Sequence, residues 1–390
     1  MLKILHTSDW HLGNQPSGYD RSVSEAYFLE QLKEIVEREQ PDCMIVSGDI
    51  YNLSSPSAAV QKMYTNAMLE IHNTCPNMTI IVIAGNHDSP SKLEIDSNLW
   101  SCFNVFVTGS IEKRNDTVDF KRHIIEIKNK NRETVGYVAA IPYFYIRNYP
   151  NLFENLEEYI KSTVDLRLPI VLTCHLAVSG SEIRSNNPHV ADMEFFPLEM
   201  LGEIYDYIAL GHIHLPQTLK NSNAKARYSG SPLSISFNEN YPHSVTVAEI
   251  SGKNSLNTRT IDIKDNMPLI TVPKESGSIE EVFQYAETHK DSLKNCFIRF
   301  NVKVKDFLPS NSKEKAIELC ESIGAYFCTF NIERKSNDVQ KNDKTVTVEE
   351  FKQMSVMDVA RSYMRNQNIN ADDDLIRMLS YAINFNQDDN

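Results

Sequence analysis

Five short clusters of the sequence carry side chains that bind metal ions in proteins. The clusters contain carboxylates, imidazoles and one amide, and no cysteine belongs to any ligand position. Their members are Asp9, His11, Asp49, Asn86, His87, Asp88, His175, His212 and His214. Imidazole, carboxylate and amide oxygen are ligands for manganese, iron or zinc. The residue types therefore predict a metal-dependent chemistry.

Asp49 is the residue best suited to hold two ions at once. Two ions about 3.5–4 Å apart need a shared ligand as well as separate terminal ligands, and the two oxygens of a carboxylate can bridge them. Three terminal ligands for each ion then remain among Asp9, His11, Asn86, His175, His212 and His214. His87 is left over beside a ligand, which suits a proton donor or a contact to phosphate.

Each cluster follows a segment with the pattern of a buried strand. The apolar runs lie at residues 2–7, 43–47, 78–84, 169–173 and 207–210. The first three alternate with amphipathic helical patterns at residues 20–39 and 57–72, and this order predicts an α/β sheet with helices on its faces. Because ligands bind at the carboxyl ends of strands in such sheets, we expect the five clusters to converge.

Taken one at a time, the clusters are weak signals. Asp-x-His, Gly-Asp and Gly-Asn-His also occur as ordinary turn features, and Gly-Asp and Gly-Asn are common turn dipeptides. Gly211, His212 and His214 form the most specific single motif. The combination, in this order and always at a predicted strand end, favours a metal site over five unrelated turns.

Net charge and composition limit the classes of function that fit this chain. The formal charge of −13 opposes a general nucleic-acid surface, so a nucleic-acid function must rest on a local feature such as bound divalent metals. Residues 121–132 are locally basic, for which a solvated hairpin is the favoured interpretation.

The seven scattered cysteines contain no C-x-x-C pair, which predicts a reduced, cytoplasmic protein. Neither a signal peptide nor a membrane span is expected.

The five clusters resemble the signature motifs of the calcineurin-like metallophosphoesterases, which are D-x-H, G-D, G-N-H-[D/E], H and G-H-x-H. Residues 7–13, 211–217 and 228–239 more closely resemble the SbcD family, the nuclease subunits of bacterial SbcCD complexes. The resemblance is specific over the first 240 residues and rests on the order of elements afterwards. It implies an α/β (α+β) fold: a four-layer αββα sandwich with a small α/β capping domain and a C-terminal helical tail.

The family pattern also implies how the ligands divide. One metal falls on Asp9, His11, Asp49 and His214, and the other on Asp49, Asn86, His175 and His212. The implied cofactor is a pair of divalent ions, most often Mn²⁺. His87 is implied to stabilise the transition state or protonate the leaving oxygen, with Asp88 orienting its ring. Some relatives carry a further histidine where this chain has Asn52.

The resemblance implies four regions. We predict a nuclease domain at residues 1–264, a capping domain at 265–333, a linker at 334–344 and a helical tail at 345–390 that binds the ATPase partner. Within the tail, residues 356–364 and 375–383 have apolar helical faces that suit docking in a groove of a partner. Packing of the tail against the capping domain is the alternative.

The predicted function is Mn²⁺-dependent exonuclease and endonuclease activity on DNA ends, hairpins and single strands. By resemblance, the chain would act with an SbcC-like SMC-type ATPase in repair, recombination and replication, as a homodimer within a heterotetramer. The alternative is a phosphatase or phosphodiesterase of the same fold that acts on a small molecule or a protein. A third hypothesis, a binding module without activity, is disfavoured because the ligand set is complete.

Overall fold

Two six-stranded sheets that pack against each other form the centre of the molecule. The computed structural model describes residues 1–114, 117–183, 194–220, 225–305 and 307–334, together with residue 357. The first ten strands are β1 Leu2–Thr7, β2 Cys43–Ser47, β3 Thr79–Ile83, β4 Val105–Thr108, β5 Lys113–Arg114, β6 Thr117–Val118, β7 Ile124–Lys128, β8 Thr134–Ile141, β9 Ile170–His175 and β10 Tyr207–Gly211. The remaining strands are β11 Gln217–Thr218, β12 Ala226–Tyr228, β13 Ser244–Gly252, β14 Ser255–Asp262, β15 Leu269–Gly277, β16 Phe297–Val304 and β17 Tyr326–Arg334.

The helices of the described residues are α1 Ser22–Glu39, α2 Ala58–Thr74, α3 Pro90–Leu93, α4 Ser97–Ser101, α5 Leu152–Thr163, α6 Ile279–Thr288, α7 Lys290–Leu293 and α8 Ser312–Ser322. Helices α1, α2 and α5 pack on the outer faces of these two sheets, whereas α6 and α8 pack against a third sheet. Helix α1 buries Phe28, Leu32 and Ile35, which recur on one face of a 3.6-residue repeat. It ends at Gln40, whose φ of 44° is left-handed and stops the helix.

The first sheet has the order β14-β13-β1-β2-β3-β4, and the second has the order β11-β12-β10-β9-β8-β7. Strands β1 to β4 are parallel to one another, as are β8, β9, β10 and β12. All side chains of β2 and β3 are buried, because helices cover one face and the second sheet covers the other. Parallel strands of this kind bring several carboxyl ends to one edge.

Three separate apolar cores produce the layers. One core joins α1 and α2 to the first sheet, and a second joins α5 to the second sheet. The third lies between the sheets and contains Ile4, Ile45 and Ile81 from the first sheet with Val171 and Ala209 from the second. The predicted four-layer αββα sandwich is therefore confirmed.

A third sheet, of order β15-β16-β17, has a core of its own with α6 and α8. Its strands alternate with helices along the chain, and Ser278 and Glu281 form a capping box that starts α6. Residues 1–335 form one compact unit. The boundary at residues 264 and 265 stays a prediction.

The predicted linker and tail belong almost entirely to the part of the chain that the structure does not describe. Except for Arg334 and Met357, the linker at residues 334–344 and the tail at 345–390 lie outside the described residues. Where the structure does describe the chain, no helix combines the length and the apolar composition that a membrane crossing requires.

Candidate metal centre

The candidate ligands lie where five parallel strands end. Asp9 and His11 follow β1, Asp49 follows β2, and Asn86 follows β3 of the first sheet. In the second sheet, His175 is the last residue of β9, whereas His212 and His214 follow β10. Since β9 and β10 are neighbours and their sheet faces the first one, the two sets meet at a common edge.

Asp49 lies between two groups of nitrogen and oxygen atoms. Its Oδ2 atom is 3.6 Å from His11 Nε2 and 3.4 Å from His175 Nε2. On one side, His11 Nε2 is 3.2 Å from His214 Nε2. On the other side, Asn86 Oδ1 is 3.1 Å from His175 Nε2.

His212 and Asp9 complete the two sides of the centre. His212 Nδ1 lies 2.8 Å from the side-chain oxygen of Asn86. The carboxylate of Asp9 accepts the backbone N–H of His212, at 3.0 and 3.3 Å from its two oxygens. Three overlapping sets have ligand atoms within 4.8 Å of one another: Asp9, His11 and His214; His11, Asp49 and His87; and Asp49, His175 and His212. All nine residues singled out in the sequence are thus in one region.

The hydrogen bonds of the imidazoles fit cation ligands. His175 Nδ1 lies 2.8 Å from the carbonyl oxygen of Ser47, and His214 Nδ1 lies 2.9 Å from Oε1 of Glu239. These acceptors hold one ring proton on Nδ1, so loss of the other ring proton would leave an Nε2 lone pair directed into the centre. Nε2 of His214 then faces Nε2 of His11, and the nitrogen lone pairs and the carboxylates surround a space suited to divalent metals.

Several site residues have a backbone conformation that L-residues rarely adopt. Asp9, His11, Asp49 and His212 have φ values of 54°, 47°, 52° and 96°. Such conformations cost on the order of 1–3 kcal/mol each and persist where the surrounding structure enforces them, as at ligand sites. Here the loops brace each other, because Asp9 N–H donates to Gly48 O at 2.9 Å and His11 N–H donates to Asp49 O at 3.0 Å.

Two glycines allow the loops to approach this closely. A Cβ atom on Gly85 would lie 2.1 Å from Oδ1 of Asp49, and one on Gly211 would lie 1.8 Å from the carbonyl oxygen of Ser47. Both separations are far below van der Waals contact. The glycine of each motif is therefore required by the packing of one strand end against the next.

Burial and neighbouring charges set the protonation of the centre. Burial raises the pKa of Asp9 and lowers the pKa values of His11 and His212 to about 3. Burial alone would raise the pKa of Asp49, but His175 and then His11 bring it well below its usual range. Asp49 therefore remains ionised although almost no water reaches it.

The two histidines that face carboxylates behave in the opposite way. Burial alone would lower their pKa values, but Asp49 raises the pKa of His175 to about 9. The hydrogen bond to Glu239 likewise raises the pKa of His214 to about 9. The buried carboxylates are thus compensated by positive charge, which is also what bound cations would supply.

His87 and Asp88 differ in their surroundings. The His87 ring is exposed, and its Nδ1 lies 3.0 Å from the carbonyl oxygen of Asn52. The buried Asp88 carboxylate accepts the backbone N–H groups of Ile50, Tyr51 and Gly85 at 3.1, 3.0 and 2.9 Å. The expectation that Asp88 orients the His87 ring is therefore wrong: the Asn52 carbonyl holds the ring, and Asp88 fixes the loops after β2 and β3.

The sequence did not predict two contacts at the centre, that of Glu239 with His214 and that of the Asn52 carbonyl with His87. Glu239 belongs to the segment 228–239, which carried a family resemblance, but nothing in its spacing pointed to His214. The Asn52 carbonyl is a backbone group and therefore leaves no signal in residue type. Trp10 and Tyr51 are buried in the first core.

Comparisons with known proteins agree with this geometry. The family model for calcineurin-like phosphoesterase matches residues 2–216. The chain is 27% identical over 301 residues to the SbcD subunit of the SbcCD nuclease of Rhodobacter capsulatus, covering 70% of this chain and 72% of that protein. It is 28% identical over 306 residues to the Staphylococcus epidermidis protein of the same name, in a match that covers 77% of this chain and 79% of that protein. The corresponding Bacillus subtilis protein is 27% identical over 318 residues, with 79% and 80% covered.

The family match and the site occupy the same part of the molecule. The matched residues include both central sheets up to β10 and every candidate ligand from Asp9 to His214. They also make up more than half of the chain. The chain therefore belongs to the calcineurin-like phosphoesterases, a family of hydrolases whose chemistry fits the divalent-metal ligands gathered here.

Proposed function

We propose that this chain is a DNA nuclease that hydrolyses phosphodiester bonds with two divalent metal ions, Mn²⁺ by preference. The observation that carries the proposal is the position of Asp49, whose Oδ2 lies 3.6 and 3.4 Å from nitrogens of two opposite histidines. A carboxylate shared in this way is what a two-metal site requires.

The proposed ligands follow the two sides of the centre. Asp9, His11, Asp49 and His214 hold one ion, and Asp49, Asn86, His175 and His212 hold the other. When bound, such ions lower the pKa of water, orient the phosphate and neutralise developing charge. The contacts of His175 with Ser47 and of His214 with Glu239 keep the ligand nitrogens turned inward.

His87 is the proposed catalytic residue of the chain. One of its ring nitrogens lies within 4.8 Å of ligand atoms of His11 and Asp49, so it is beside the reacting phosphate. With Nδ1 held by the Asn52 carbonyl, Nε2 is the atom that donates a proton to the leaving oxygen or a hydrogen bond to the phosphate. Asp88 supports this role indirectly, because it fixes the loops after β2 and β3.

DNA is the proposed substrate because the relatives are subunits of the SbcCD nuclease. The likeness to them extends beyond the family match at residue 216, since it covers 70–79% of the chain. The general phosphoesterase site would equally suit a phosphatase acting on a small molecule or a protein. The substrate must therefore be decided by experiment.

Metal-free protein supplied with Mn²⁺, Mg²⁺ or Zn²⁺ should be tested on labelled duplex, hairpin and single-stranded DNA, beside p-nitrophenyl phosphate and bis(p-nitrophenyl) phosphate. We expect Mn²⁺-dependent cleavage of DNA and of the diester. Turnover of the small esters with inert DNA would replace the nuclease by the phosphatase hypothesis. The Asp49→Asn variant controls for a contaminating nuclease.

We further propose a cytoplasmic complex with an SbcC-like ATPase, with the chain as a homodimer in a heterotetramer. The relatives' membership of SbcCD and the apolar faces at residues 356–364 and 375–383 support a partner site in residues 345–390. Deletion of 345–390 should abolish ATPase binding in pull-down experiments and spare Mn²⁺-dependent hydrolysis of the diester. Retained binding would place the partner site elsewhere.

A further inference from the structure

The loop after β8 presents aromatic side chains at the edge of the metal centre. The Tyr143 ring lies 6.2 Å from the ring of His175 and 6.3 Å from that of His212, between ring centroids. The Tyr145 ring is next to Tyr143, at 5.7 Å, and is 58% exposed. A path of aromatic faces thus leads from the candidate ligands to solvent.

This loop is held in place on its inner side. The Tyr143 N–H donates to the carbonyl oxygen of Ala84 at 2.8 Å, which fixes the loop to the segment after β3. Phe144 points the opposite way and is buried against Phe153 and Tyr149, with ring centroids 6.0 and 5.7 Å away. Tyr143 and Tyr145 are therefore presented by a braced backbone, which lowers the entropy lost when a ligand stacks on them.

A cation accompanies the two tyrosines. Arg147 is exposed, and its guanidinium carbon lies 5.6 Å from the centroid of the Tyr145 ring. Elsewhere in this acidic chain, exposed or half-buried arginines pair with carboxylates, as Arg114 does with Asp119 and Arg122 does with Glu94. Within the described part of the chain, no carboxylate pairs with Arg147, so its donors are available to an anion.

We propose that Tyr143, Tyr145 and Arg147 form a nucleotide-binding rim beside the metal centre. In this rim, Tyr145 stacks on an unpaired base next to the cleaved phosphate, and Arg147 binds a neighbouring phosphate. Tyr143 supports Tyr145 and separates it from His212. The inference rests on the proposed nuclease function and adds how the DNA strand is held beside the metal centre.

The chemistry of the rim matches single-stranded nucleic acid. Stacking on an aromatic side chain strengthens binding about five- to 150-fold per base and tolerates any base, because every base has a π-face. A guanidinium stacked on a ring keeps its planar donors oriented for phosphate oxygens. A base inside a duplex already stacks on both neighbours and cannot stack on Tyr145 without leaving the duplex, so the rim favours unpaired or frayed strands.

The test compares variants of the full chain with Mn²⁺ on three substrates. These are a single-stranded oligonucleotide, an oligomer of the same length with abasic residues throughout, and bis(p-nitrophenyl) phosphate. We expect Tyr145→Ala to lower kcat/KM on the normal oligonucleotide by about tenfold or more, as loss of one stacked base predicts. The variant should match the unsubstituted protein on the abasic oligomer and on the diester. Tyr145→Phe, which keeps the ring, should behave like the unsubstituted protein on all three.

Arg147 has a different expected signature. Arg147→Ala should weaken cleavage of both oligomers, leave the diester unaffected, and reduce the salt slope of binding by about one phosphate contact. Arg147→Lys should keep more of the salt slope than Arg147→Ala does, because lysine keeps the charge but lacks the planar guanidinium.

The outcomes separate the rim from the nuclease proposal. If the unsubstituted protein cleaves the oligonucleotide and Tyr145→Ala cleaves it equally well, the rim is wrong and the nuclease function stands. Equal losses on all three substrates would also overturn the rim, since they indicate a disturbed metal centre. If the unsubstituted protein hydrolyses the diester but neither oligomer, both proposals fall.

Discussion

Nδ1 of His214 lies 2.9 Å from Oε1 of Glu239, and this contact connects the metal centre to the third sheet. The other carboxylate oxygen of Glu239 accepts the Ile235 N–H at 2.9 Å. Just before Glu239 in the chain, Arg299 of β16 donates to Phe237 O at 3.2 Å and to Asn238 Oδ1 at 3.1 Å. The position of His214 thus depends on a loop held from the β15-β16-β17 sheet.

Replacement of Glu239 should weaken one metal site. Loss of a hydrogen-bond partner of a ligating histidine commonly lowers metal affinity about 10–100-fold, because the ring is no longer oriented. We expect Glu239→Ala to show this loss for one of two bound ions in a chelator competition. Glu239→Gln should lose less, since its amide oxygen can still accept from Nδ1.

Arg299→Ala tests whether the third sheet contributes to this effect. Like Glu239→Ala, it should lower metal affinity. The double variant should lose less metal affinity than the sum of the two single losses. Unchanged affinity in both single variants would contradict the proposed link.

Asp49→Asn should remove both ions. Asparagine tolerates the left-handed backbone of this position, where φ is 52°, so the fold should survive. The amide has one oxygen and no charge, and we expect metal content to fall at least about tenfold. Asp9→Asn is the matched comparison, because Asp9 belongs to only one ligand set and its loss should spare the other ion. Metal analysis of the dialysed proteins measures both.

His87→Asn should separate catalysis from metal binding. The ring is exposed and held by a backbone carbonyl, so its removal should leave metal content near that of the unsubstituted protein. A lost proton donor should lower kcat about 10²–10⁴-fold on an oligonucleotide at saturating Mn²⁺, because the sugar alkoxide that leaves must be protonated. If the variant instead lost its metals, His87 would be a ligand and the assignment of roles would be wrong.

Gly85→Ala should disturb the bridging carboxylate. The added Cβ would lie 2.1 Å from Asp49 Oδ1, and relief of such a clash costs about 1–3 kcal/mol. We expect reduced metal content and a lower free energy of unfolding, measured by chemical denaturation. Gly252→Ala is the matched control, because its Cβ would meet no atom within 4 Å.

Glu25 should make stability depend on pH. Burial raises its pKa from 4.5 to about 7, so the folded state holds this proton more tightly than the unfolded chain does. The stability that it contributes is therefore fully present below the unfolded pKa of 4.5 and is lost as pH rises through about 7. Its Oε1 also accepts the N–H of Gly13 at 2.8 Å, a bond that glutamine can keep.

Glu25→Gln should consequently reduce the fall in unfolding free energy between about pH 5 and about pH 8, by about 1–3 kcal/mol. Denaturation of metal-free protein at both pH values measures the difference. The exposed Glu37 of the same helix provides a control for removal of one charge. An identical pH dependence in Glu25→Gln would show that the carboxyl titrates normally in the folded protein.

Local sequence patterns were sufficient to predict the central strands and the order of the candidate residues. Strand β1 occupies residues 2–7 and β2 residues 43–47, as predicted, because short apolar runs between turn residues are a local signal. The clusters at strand ends followed from the same signal. Their metal-binding roles stay predictions until the variants are measured.

Which strands pair with one another depends on the packing of the whole fold. Strand β13 pairs antiparallel with β1, so Leu2 faces Ile250, and β9 and β10 belong to a second sheet. Pairing between segments so far apart depends on how whole faces bury one another, and local periodicity does not encode it. The same is true of the Glu239 contact with His214 and of the Asn52 carbonyl on His87. Each arises because the packing of the two six-stranded sheets and the β15-β16-β17 sheet brings loops that are distant in the sequence to a single edge.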